Sequence, residues 1–310
     1  MPTRREAMLA AGAFAIAPAA ASAQTPAPIR VLRGAIEASS GAQYAYELGL
    51  FKKYGVDVTV EIVNSGEVGS AAIVGGAAQI GSANVLSLAV AHTKGVPFVF
   101  VAPGSQFVKN APTAALIVSR ATALRSAKDF AGKTIAIPAL GDLGTISTQA
   151  WLDKSGVDSR SVRFVEVPNP QMTAAVERGT VDGALLSSPA LEAALGTCKI
   201  FGVPYAAIAD AFLVNAWYAR ADWVTAHRDA VRAFARAIVE AQDWAVHNRE
   251  ASGKMLATFN KVDPAVVARM TRTSYAPRLD PQAIQPVIDA AARYGSIPAT
   301  FAATELIATG

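Results

Sequence analysis

Between residues 29 and 202, short runs with strand-like alternation take turns with runs at helical spacing. This alternation confines the chain to a layered α/β architecture. Residues 29–34 (IRVLRG) read as a first strand, followed by a small polar loop over 37–43. The spacing predicts a helix over 44–54 that Gly55 stops, and a strand over 56–63, where Val and Ile alternate with polar residues. Asn64-Ser65-Gly66 reads as a turn. A helix over 68–76, a short strand and loop over 79–84, a helix over 86–94 stopped by Gly95, and a strand over 97–102 complete the first set.

A second set begins with an apolar strand near 113–118. It continues with a short helix (126–132), a strand (133–138), a glycine-bearing loop (141–144) and a helix (145–154). A strand over 163–167, a helix over 171–178 and a strand over 181–186 follow. From Arg220 onward helices dominate. Val231, Phe234, Ile238, Ala241 and Ala245 share one face of a long helix, and Asp263-Pro264 and Asp280-Pro281 are N-cap and first-turn pairs. The expected sheets are mainly parallel, with helices on both faces.

Ahead of this region stands MPTRREAMLAAGAFAIAPAAASAQ. Arg4 and Arg5 precede a short apolar run, and Ala21-Ser22-Ala23 is a small-x-small cleavage signal before Gln24. Residues 1–23 are therefore expected to be a signal peptide, and the mature protein to work in the periplasm. General secretion and twin-arginine export both fit. No later run is long and apolar enough to be a membrane span. The composition, 52% hydrophobic and 17% charged, argues for a folded globule and against disorder. The net charge of +4 is modest and the Lys and Arg residues are dispersed, which excludes a nucleic-acid footprint. The single cysteine, Cys198, forms no internal disulfide, and the three histidines show no metal-ligand spacing, so no metal or other cofactor is expected.

Several segments in order carry a family pattern: ELGLFKKYGVDVTVEIVNSG (47–66), AAIVGGAAQIGSAN (71–84), KDFAGKTIAIP (128–138), AAVERGTVDGALLSSP (174–189) and WAVHNRE (244–250). Together they resemble the nitrate/sulfonate/taurine-type solute-binding proteins of ABC importers, across nearly all of the chain after the leader. Gln79 stands where the family usually has an acidic residue. The resemblance implies a two-lobed periplasmic-binding-protein fold (type II-like), with parallel-dominated sheets and a two-strand hinge. Lobe 1 would comprise 29–115 and 206–310, and lobe 2 would comprise 116–205. It also implies a small-molecule solute, a transient ABC permease partner in the inner membrane, and a monomer.

In an open parallel sheet the ligand crevice lies outside the carboxyl ends of the strands, where helix N-termini present unpaired N–H groups. The loops at those ends hold Ser39, Ser40 and Gln43; Asn64, Ser65, Gly66 and Glu67; Ser82 and Asn84. In the second set they hold Asp142, Gly144 and Thr145, then Ser187, with Asn215 near the return crossing. Singly, each hydroxyl or carboxamide also reads as a cap or turn residue. Together they form the expected ligand-binding set. These loops contain Glu67 and Asp142 but no Lys or Arg, which favours a zwitterion, an amine or a neutral heterocycle over nitrate. Tyr44, Tyr46, Phe107, Trp151 and Tyr218 read as core residues before stacking platforms.

No nucleophile with an adjacent base is visible, so no enzyme activity is expected. A sensor that shows its closed form to a membrane receptor, or an enzyme of pyrimidine or thiamine-precursor metabolism on the same scaffold, are the alternatives.

Overall fold

The computed structural model describes residues 28–63 and 66–308. The leader with its cleavage signal, and the site residues Asn64 and Ser65, lie outside the described residues.

The first set of elements is β1 (Ile29–Arg33), α1 (Gly41–Glu47), α2 (Leu50–Lys53), β2 (Val58–Ile62), α3 (Gly66–Val74), β3 (Ile80–Asn84), α4 (Val85–Thr93) and β4 (Phe98–Pro103). After β5 (Ser105–Val108) comes the second set: β6 (Ala114–Ser119), β7 (Thr134–Ile137), α5 (Leu143–Lys154), β8 (Arg163–Glu166), α6 (Asn169–Glu177), β9 (Gly183–Ser187), α7 (Ala190–Ala194) and β10 (Cys198–Gly202). The chain returns through β11 (Ala211–Leu213) and β12 (Asn215–Arg220). It ends in α8 (Ala221–Ala226), α9 (Arg228–His247), α10 (Arg249–Asn260), α11 (Pro264–Arg269), β13 (Ser274–Tyr275) and α12 (Pro281–Arg293).

The first sheet has the order β2-β1-β3-β12-β4 and the second β10-β6-β9-β7-β8. Each has a parallel triplet, β2-β1-β3 and β9-β7-β8. Each also contains one strand, β12 or β6, that pairs antiparallel with both of its neighbours. The reason is the route of the chain. A strand arriving from the other lobe enters at the carboxyl edge of the parallel triplet and must run opposite to it. Where the chain crosses, β5 pairs antiparallel with β11 and with β13, so a third strand joins the two crossing strands.

The expected helix over 44–54 is two helices. Gly49, at φ 69, turns the chain in the left-handed region and separates α1 from α2. α1 starts at Gly41, so Gln43 is helical and not in a loop.

Both faces of the first sheet are covered, as its parallel strands require. Val31 packs with Tyr44, Phe234 and Ile238 on one face; Leu32 packs with Leu86, Ile284 and Ile288 on the other. The α9 stripe is buried as its spacing predicts. Phe234 stacks on Phe51 at 5.5 Å and meets Trp217 edge-on at 5.9 Å. Burying such a ring contributes roughly 1.5–3 kcal/mol. No helix among the described residues is long and apolar enough to cross a membrane.

Gly104 joins β4 to β5. A Cβ there would strike the backbone oxygen of Asn215 at the start of β12. Gly104→Ala is expected to lower stability by about 1–3 kcal/mol, measured by urea denaturation. An unchanged midpoint would show that the two strands separate freely there.

Candidate functional site

The turn after β1 is a single 3-10 turn, Glu37–Ser39, leading into α1. Ser39 Oγ donates to Gly34 O at 2.9 Å and Ser40 Oγ to Ile36 O at 2.9 Å. Both serines are buried, so their hydroxyls brace the turn from within. Gln43 Nε2 donates to Glu47 Oε1 at 2.9 Å along α1. Gly66 opens α3, and Glu67 is exposed in its first turn. Asn84 caps α4 by accepting the Ser87 N–H at 2.8 Å. Ser82 Oγ donates to Asn215 Oδ1 at 2.9 Å, and the register of β3 and β12 sets Asn84 opposite Asn215. Ser39, Ser40, Ser82, Asn84 and Asn215 thus gather at one edge of the first sheet.

At the second sheet, Asp142 caps α5. Its Oδ1 accepts the Thr145 N–H at 2.8 Å and the Thr145 hydroxyl at 3.1 Å. Burial pushes the Asp142 pKa up against the pull of these bonds, and Glu166 adds to the rise. Gly144 is held against Leu185, where a Cβ would sit 2.8 Å from Cδ2. Ser187 is the exposed last residue of β9, parallel to β7, so it shares an edge with Asp142 and Thr145.

Two sets of contacts join the lobes. Thr271 N–H, after α11, donates to Glu192 Oε1 of α7 at 3.2 Å, and Ser188 Oγ donates to the same oxygen at 2.7 Å. After α12, Ser296 Oγ donates to Gly141 O at 3.2 Å and Tyr294 OH to Asp153 Oδ2 at 2.9 Å.

A buried polar cluster that sequence reading missed lies under the first turn. Glu37 and Arg272 form an ion pair with both side chains buried. Glu37 Oε2 also accepts the Thr273 N–H at 2.9 Å, and Glu37 O accepts the Tyr275 hydroxyl at 3.0 Å. Arg272 donates further to Arg249 O at 3.0 Å, Ser252 Oγ at 3.2 Å and Tyr44 OH at 3.3 Å. Burial works against the Arg272 charge, but Glu37 and the tyrosines outweigh it and its pKa rises. Arg33, the last residue of β1, is fully buried; its Cζ lies 4.9 Å from the centre of the Phe259 ring. Burial lowers its pKa to about 10, so it stays charged at neutral pH. Gln242 of α9 donates to Pro103 O at 3.1 Å and sits where a Cβ on Gly41 would be 2.8 Å from its Nε2.

The loops themselves hold no Lys or Arg, but Arg33 and Arg272 reach the first turn from β1 and from beyond α11. Tyr44, Phe107 and Tyr218 are buried in the core, while Tyr46 is 51% exposed. Cys198 is buried in the edge strand β10, and burial pushes its thiol pKa up.

Two surface hollows flank this arrangement. One of 510 Å³, lined by Val74, Gln79, Arg220 and Trp223, is at the amino end of β3, on the far side of the sheet from these loops. The other, of 570 Å³, adjoins the buried cluster and is lined by Gln106, Arg249 and residues 269–275. The strand edges, not the first hollow, hold the polar groups of interest. Among the described residues no group of three or more His, Cys, Asp or Glu is placed to hold a metal.

A family model described as NMT1/THI5 like matches residues 38–252. The chain belongs to the NMT1/THI5-like family. The match opens at the Glu37–Ser39 turn and closes at Ser252, inside the buried cluster. This family member is 27% identical over 220 residues to the taurine-binding periplasmic protein of Escherichia coli (strain K12), which covers 68% of the chain and 64% of that relative. Its fold is similar to the periplasmic aliphatic sulphonate binding protein SsuA from Escherichia coli, with TM-score 0.77 and 16% identity over 92% of this chain and 93% of that one. It is also similar to the periplasmic nitrate-binding protein NrtA from Synechocystis PCC 6803, with TM-score 0.69 and 18% identity over 88% and 82% of the two chains. The fold is thus the two-lobed periplasmic-binding-protein fold that the sequence motifs implied.

Two substitutions separate the roles of the two edges. Asp142→Ala removes a helix cap and is expected to cost about 1 kcal/mol. Arg272→Met leaves the Glu37 carboxylate buried and unpaired and is expected to cost about 3–5 kcal/mol. Chemical denaturation checks both, and equal effects would mean that the buried Glu37–Arg272 pair contributes no more to stability than a helix cap.

Proposed function

We propose that this protein is an exported solute-binding component of an ABC importer that captures a small organic anion between its lobes and passes it to an inner-membrane permease. One observation supports the anion reading most: the cluster under the first turn holds Arg33 and Arg272 against a single carboxylate, Glu37, and so carries a buried net positive charge. The N-termini of α1, α4 and α5 lie at the carboxyl ends of β1, β3 and β7, and add partial positive charge at the same edges. Taurine, sulphonate and nitrate in the names of the relatives point the same way. An anion, or a zwitterion presenting its acidic end, suits this arrangement better than an amine.

On this reading residues 1–23 direct the chain to the periplasm. The lobes are 29–115 with 206–310, and 116–205, and they close about the two crossings, near 112–116 after β5 and 203–208 before β11, while ligand shifts the population toward the closed form. The ligand set is Ser39, Ser40, Gln43, Asn64, Ser65, Gly66, Glu67, Ser82, Asn84, Asp142, Gly144, Thr145, Ser187 and Asn215. The protein acts as a monomer and performs no catalytic step.

A thermal-shift and calorimetry panel tests this on the mature chain, using taurine, ethanesulfonate, nitrate, benzoate, a pyrimidine and spermidine. A sulfonate or carboxylate is expected to bind saturably, to be recovered chemically unchanged, and to add about 2.7 kcal/mol of stability at a hundredfold its Kd. A response to spermidine alone would overturn the anion reading.

A further inference from the structure

Among the described residues, one buried charged side chain has no counter-charge. Arg33 is completely buried, yet only its Nη1 donates hydrogen bonds, to Gly34 O and Asn260 Oδ1, both at 2.9 Å. Its Nε and Nη2 have no partner among the described residues. The carboxylate of the cluster does not serve it, because Glu37 Oε1 takes Arg272 and Oε2 takes the Thr273 N–H. The Phe259 ring face offsets only part of the cost of burying an ion. A side chain that only filled space here would be better apolar. Gly34 O, which accepts from Arg33, also accepts from Ser39 Oγ, so the guanidinium lies directly beneath the turn that begins the ligand edge.

We propose that Arg33 is a specificity-determining residue whose uncompensated charge is the counter-charge for the acidic group of the solute. Selection of an anion over a neutral solute of the same shape is then set from beneath the turn, through its backbone, without side-chain contact. This rests on the solute-binding reading above and adds the residue that enforces charge selection. The Glu37–Arg272 pair contributes no net charge; it fixes the turn over Arg33. Neutralising Glu37 adds a positive unit to the same cluster, whereas neutralising Arg33 removes one.

Calorimetry on the mature chain with ethanesulfonate and its neutral isostere ethanesulfonamide separates the possibilities. Arg33→Met is expected to weaken ethanesulfonate binding roughly 10- to 50-fold, the range for one charge several ångströms away in a protein interior, and to leave the sulfonamide unaffected. Arg33→Lys should restore the preference, and Glu37→Gln should tighten sulfonate binding several-fold. If Arg33→Met weakens both probes equally, or neither, Arg33 is a structural anchor for α10 and the proposal fails. Should Arg33→Met not fold, Arg33→Gln is read on the same two probes, and an equal loss of both or a loss of neither overturns the proposal. A wild-type chain that binds no acidic probe instead defeats the parent reading, a result distinct from normal wild-type binding with an indifferent Arg33 variant.

Discussion

The buried ion pair between Glu37 and Arg272 ties together parts of the molecule that are 235 residues apart in sequence. Within residues 271–275, Thr271 reaches lobe 2 at Glu192, Arg272 and Thr273 hold the turn after β1, and Ser274 with Tyr275 pairs with the hinge strand β5. Five consecutive residues therefore touch the opposite lobe, the turn after β1 and the crossing strand β5. A turn held by a desolvated ion pair and a backbone N–H has little freedom to relax. Any relative motion of the lobes acts on one end of a segment whose other end holds the turn after β1.

The same constraint bears on the polar groups at the carboxyl ends of the strands. The hydroxyls of Ser39, Ser40 and Thr145 donate to carbonyls of their own loops, and Asn84 and Asp142 are engaged as helix caps. These side chains shape backbone more than they offer free donors. The first N–H groups of α4 and α5 and the buried guanidinium of Arg33 lie at these edges. The Glu192 and Gly141 contacts join the two lobes through a few neutral or singly charged hydrogen bonds, each of modest net strength.

The helix caps Asp263 and Asp280 were legible in the sequence because capping is local: each accepts an N–H two residues on, from Ala265 and Gln282. The stripe of α9 was legible for the same reason, since its period is an intrinsic property of a helix. The boundary at Gly49 was missed because the apolar spacing continues across it, while the left-handed turn is set by how α1 and α2 must both pack on α9. Arg33 and Arg272 were missed because nothing within a few residues of either marks it as buried. A strand-end Arg normally reads as solvated. Only the packing of α10 and β13 over the end of β1 removes it from water.

By itself, the sequence determined the alternation of strands and helices, the positions of the caps and stops, and the family pattern, because each depends on residues close together along the chain. The tertiary structure decided the antiparallel entry of β6 and β12, the three-stranded sheet at the crossings, and the buried charge beneath the turn after β1. Those depend on which distant segments share a buried volume. The electrostatic cost of a charge is set by that volume and by its partners within it, and no local window of sequence contains either.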